Sequence, residues 1–83
     1  MPPAVVPPSL AAAKARARRA CGMACDAEPR SAALYSQWWS ETLLAVEHAP
    51  ADRAIVMLQR CAVVFEISVD RLQWPGTIRG FAR

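Results

Sequence analysis

Ile55-Val-Met-Leu-Gln-Arg-Cys-Ala-Val-Val-Phe-Glu-Ile-Ser-Val69 is the most apolar stretch of the chain, broken only by Gln59, Arg60, Glu66 and Ser68. Whatever folds must bury most of it, since apolar surface left in water is unfavourable. Just upstream, Pro50 suits the first turn of a helix, and Asp52 complements the positive end of that helix's dipole. At about 100° per residue, Ala51, Ala54, Ile55, Leu58, Cys61, Ala62 and Phe65 fall on one face. Val56, Val63 and Ile67 form a second apolar row on the opposite side, with Met57 and Val64 between the two. A strand is the competing reading, because Phe65, Ile67 and Val69 alternate with Glu66, Ser68 and Asp70. The helical reading is preferred.

Upstream, Ala32 to His48 has the periodicity of a second helix. Ala32, Ala33, Leu34, Tyr35, Trp38, Trp39, Leu43, Ala45 and Val46 share one half of the wheel. Ser36, Gln37, Ser40, Glu41, Glu47 and His48 take the other half, with Leu44 the intruder. The link through Ala49 and Pro50 is short, so residues 31–48 and 50–68 are expected to fold back as an antiparallel helical hairpin. A hairpin alone cannot cover both rows of the 50–68 helix. The surplus row Val56, Val63 and Ile67 predicts a homodimer.

Residues 1–9 hold Pro2, Pro3, Pro7 and Pro8 and read as a flexible, extended arm. Ser9 is a good N-cap for a helix starting at Leu10, and the Ala, Lys and Arg residues through Ala20 are strong helix formers. Lys14, Arg16, Arg18 and Arg19 scatter around that helix, which is expected to be semi-exposed with little to pack against. Gly22 weakens its end, and 26–30 is a break. Trp74-Pro75-Gly76 ends the helical region, leaving a loose tail from about residue 75. The expected architecture is therefore all-α: one small domain over 10–83, built on the hairpin, with an additional Ala/Arg-rich helix.

The chain has 83 residues, 54% apolar and 20% charged, which is globular rather than disordered in composition. Net charge is +3, but basic ends flank an acidic middle: residues 31–70 carry Arg53 and Arg60 against five carboxylates. Basic termini favour an acidic partner surface or phosphates. No apolar run approaches the roughly 20 residues that span a bilayer, and no signal peptide is evident. Three cysteines, Cys21, Cys25 and Cys61, are too few and odd in number for a secreted disulfide framework. The expected location is cytoplasmic, with reduced thiols.

Chemistry finds little purchase. Cys21 and Cys25 with His48 and Cys61 could be imagined around zinc, but the spacing lacks a second close ligand pair, so neither metal nor cofactor is expected. One histidine, no converging carboxylates and no phosphate loop argue against an enzyme. Candidate partner-binding residues are Arg16, Arg18 and Arg19 on the basic helix and the aromatic groups Trp39 and Trp74.

The run from Ala62 to Trp74 resembles the turn of a helix-turn-helix DNA-binding motif: Ala62, Ile67, Ser68 and Leu72 match its small, apolar, Ser and apolar positions. Glu66 stands where that family has its turn Gly, and Pro75 cuts the recognition helix short. The resemblance implies a dimeric transcriptional regulator presenting Asp70, Arg71 and Gln73 to a groove. In size, helical content and Ala/Arg-rich character the chain also looks like small accessory proteins of temperate bacteriophages. That likeness implies a non-enzymatic adaptor or inhibitor that binds a larger host protein, such as a regulator or a motor ATPase. A protein-binding adaptor or inhibitor is therefore the expected function, with the DNA-binding regulator as the alternative.

Overall fold

In the computed structural model, residues 9–73 form three helices in sequence: α1 (Leu10–Ala27), α2 (Ala32–Glu47) and α3 (Ala51–Gln73). A 3-10 turn, Pro29–Ser31, joins the first two. Residues 1–8 and 74–83 fall outside this description, and with them the arm, the tail and Trp74. No strand occurs among the described residues, and Val63 to Val69 are helical throughout. Once both faces of that stretch have uses, a helical period accommodates them better than a two-residue alternation.

Each helix begins where its sequence says it should. Ser9 caps α1, its Oγ accepting from the Ala12 N–H at 3.0 Å. Glu28 closes that helix by donating its N–H to the Ala24 carbonyl at 2.9 Å, and Pro29 starts the next turn. Gly22 does not stop α1, because it lies on the exposed side where even an added Cβ would meet nothing. His48 ends α2, and the Pro50 carbonyl accepts the first bond of α3 from the Ala54 N–H at 2.9 Å.

The core lies chiefly between α1 and α3. Ala13, Ala17, Ala20, Cys21 and Ala24 on α1 are buried against Leu58, Cys61, Ala62, Phe65 and Val69 on α3. This corrects the expectation that the first helix has little to pack against, while its other side stays exposed as expected. Its alanines step by four, three and four residues, which keeps them on one stripe. Small side chains let the two backbones approach closely, so the stripe packs well despite offering little area per residue. The α3 face expected to look towards α2 is indeed buried at Ala54, Leu58, Cys61, Ala62 and Phe65, yet most of its contact is with α1.

α2 is the shallower partner, and none of its residues is fully buried. Tyr35, Trp39 and Val46 pack against the core from one side. Tyr35 meets the Phe65 ring edge-on at 5.7 Å, and Trp38 lies tilted over it at 5.1 Å. Leu34, expected on the apolar half, is 65% exposed. The contact with the core is narrower than the apolar half of the wheel, so its margin stays in water.

Candidate protein-interaction surface

The outer face of α3 points away from the core. Val56 (44% exposed), Val63 (41%) and Ile67 (46%), the expected surplus row, stay in contact with solvent, joined by Val64 (40%). Gln59 and Arg60 complete a shallow depression with Val56, Val63 and Val64. Four β-branched side chains along one exposed helix face form a contiguous apolar patch.

A second concavity opens where the start of α1 passes the end of α2. Leu10, Leu43, Leu44, Val46, Ala49 and Ala51 line this cleft of about 750 Å³ together with the polar Lys14, Ser40 and Glu47.

The basic residues of α1 divide into two sets. Arg16 is committed within the fold: its Nε donates to Glu66 Oε2 at 3.0 Å and its Nη2 to Oε1 at 2.6 Å. The fork ties α1 to α3 and holds the Glu66 carboxyl below its ordinary range, chiefly through the Arg16 hydrogen bond. The Arg16 side chain nonetheless stays 43% exposed. Arg18 and Arg19, the other two arginines expected to contact a partner, are exposed, and so is Lys14.

The two adjacent tryptophans of α2 differ in exposure. Trp39 is half-buried against the core, and the ring with more exposure is Trp38, at 38%. Adjacent positions differ by about 100°, so only one can face the core squarely, and the sequence alone left open which.

The thiols stitch helices together. Cys21 Sγ donates to the Tyr35 carbonyl and Cys25 Sγ to the Ala32 carbonyl, both at 3.7 Å. Burial pushes the Cys21 thiol up to about 11, reinforced by the neighbouring Cys25 and Cys61 thiols. Burial likewise raises Cys61. Protonated, buried thiols are poor nucleophiles. Among the described residues, no group of three or more His, Cys, Asp or Glu side chains is placed to hold a metal ion. Likewise, no described helix is long and apolar enough to cross a membrane.

The helix-turn-helix resemblance requires a break between Ala62 and Leu72. Instead α3 runs unbroken to Gln73, and Ser68 Oγ donates back to the Val64 carbonyl at 3.0 Å within the helix. With Glu66 in place of a turn Gly, nothing in the local sequence forces a reversal. No family model, curated protein or solved structure matches the chain.

Proposed function

We propose that the chain is a protein-binding module without chemistry of its own, an adaptor or inhibitor that acts as a homodimer on a larger protein with an acidic surface. The observation that carries this reading is the exposed row Val56, Val63, Val64 and Ile67 on the far side of α3 from the core. Exposed Val and Ile bring a helix neither propensity nor solubility, so their value lies in being covered. Lys14, Arg18 and Arg19 supply the charge that would select an acidic partner, a regulator or a motor ATPase being the kind of target that the size and composition suggest.

The DNA-binding regulator draws on the same arginines and the same dimer. It lacks a separate recognition helix, because residues 62–73 are one piece with α3. The test immobilises the chain and compares its retention of protein and of duplex DNA over a salt series. Stoichiometric recovery of one protein, lost in Arg18→Glu/Arg19→Glu, supports the module. Sequence-dependent DNA retention that falls steeply with salt, with no protein recovered, overturns it.

A further inference from the structure

We propose that two copies pair through α3 in antiparallel sense, in a register that sets Arg53 of each against Asp70 of the other. This deepens the dimer reading above and rests on it. The outer face of α3 carries Arg53, Val56, Arg60, Val63, Ile67 and Asp70, all six exposed. Their spacing alternates between three and four residues without a slip, the spacing by which one helix presents a seam to another. The seam is about 26 Å long.

The charges decide the direction. In a parallel pair of identical helices each layer meets its own copy: Arg53 faces Arg53, Arg60 faces Arg60 and Asp70 faces Asp70. Half of the layers would then oppose like charges, which is unfavourable. Turning one helix over about the level between Arg60 and Val63 sets the first position of the seam against the last. Arg53 then meets Asp70 of the second copy, Val56 meets Ile67, and Arg60 meets Val63. The Val56–Ile67 layers are apolar, the two central layers pair Arg60 with Val63, and both ends of the seam become opposite-charge pairs. Arg60 lays its stem along the second copy's Val63 while its guanidinium reaches solvent. Val64 flanks the seam beside Met57 of the second copy.

Arg53 and Asp70 are available for this. Among the described residues the ion pair within the chain is Arg16–Glu66, which lies on the flank of α3 towards α1. Arg53 and Asp70 sit near opposite ends of one helix, about 26 Å apart, so they do not pair within a protomer.

The test is a charge exchange on the full chain, read by sedimentation equilibrium with helicity followed by circular dichroism. Arg53→Asp and Asp70→Arg each put a negative group nearer the helix N-terminus or a positive one nearer its C-terminus, so neither opposes the helix dipole. Each single variant sets like charges together at both ends of the seam, and its dimer dissociation constant should rise roughly tenfold or more. The double variant Arg53→Asp/Asp70→Arg restores opposite charges and should return to within about threefold of wild type. A parallel seam predicts no such rescue. Retained dimers in Val63→Glu would overturn the use of this face. Dimers lost in Val63→Glu, with no rescue in the double variant, would overturn the antiparallel register alone. A wild-type chain that is monomeric at all concentrations would overturn the dimer and the register together.

Discussion

Replacing Ala17 with Leu tests whether α1 is part of the core or an exposed appendage. Ala17 is fully buried, at 0% exposure, in the stripe that faces Leu58, Ala62 and Phe65. A leucine there adds three carbons to a seam whose close approach depends on methyl side chains. Such overpacking costs about 1–3 kcal/mol. The control is Ala15→Leu, two residues away on the exposed side of the same helix, where a substitution is worth within about 0.5 kcal/mol. A chain of 83 residues has about 4–12 kcal/mol of total stability, so a 2 kcal/mol difference is a large fraction of it. At about 4–8 °C per kcal/mol, Ala17→Leu should melt roughly 10–15 °C below Ala15→Leu. Thermal melts followed by circular dichroism must use one protein concentration, because a self-associating chain melts higher as concentration rises. Equal melting temperatures for the two leucine variants would refute the α1–α3 core, since a loosely attached helix tolerates both changes.

Phe65→Ala removes the largest fully buried side chain together with its contacts to Tyr35 and Trp38, and should cost about 3–5 kcal/mol by urea denaturation. A loss below about 1 kcal/mol would mean that α2 does not close over this ring. Glu66→Gln should lower the melting temperature at neutral pH, and the difference should vanish in acid. The Arg16 hydrogen bond depresses the folded-state value of Glu66, so its contribution is complete above the ordinary 4.5 and is lost as pH falls through the lower folded value. Both side chains of the pair are more than 40% exposed, so the effect is small and shrinks further in about 1 M salt. An unchanged difference in acid would show that the ion pair is not its cause. Alkylation at mildly basic pH should label half-buried Cys25 well before buried Cys21 and Cys61, and denaturant should abolish the order. Simultaneous labelling of all three in the native protein would contradict the burial.

The helices themselves were legible in the sequence: Ser9, Pro29 and Pro50 punctuate them, and the inner and outer rows of α3 separate cleanly on a helical wheel. What could not be read was which helix covers the inner row. The tryptophans of α2 carry the most apolar area, while the scattered arginines of α1 give that helix no obvious apolar face. The signal was nonetheless present in Ala13, Ala17, Ala20 and Ala24, whose spacing matches that of Leu58, Ala62, Phe65 and Val69. Alanine is a weak marker because it is equally at home in water and in a core. Only the facing stripe gives it meaning. The Arg16–Glu66 fork was hidden for a related reason: it links residues fifty apart in sequence, across an interface that the sequence did not announce.

The dominance of α1 changes what the outer row of α3 requires. Had α2 alone covered the inner face, α1 would have been free to cover the outer one, and the surplus would have been an internal matter. Instead α1 and α2 both lie on the inner side, so the described residues leave no helix to lay over Val56, Val63 and Ile67. Burying the exposed parts of these side chains and of Val64 amounts to on the order of 250–300 Å² per protomer, or about 7 kcal/mol at 25 cal/mol per Å². Counted over two protomers, that is roughly twice as large and comparable with the upper estimates of the cost of bringing two molecules together. Apolar burial alone thus makes association marginal, and the end charges of the seam have weight in deciding it. A dimer balanced in this way would respond to salt and to concentration. It would also exchange readily with any partner helix offering an acidic residue opposite Arg53 and an apolar one opposite Val56.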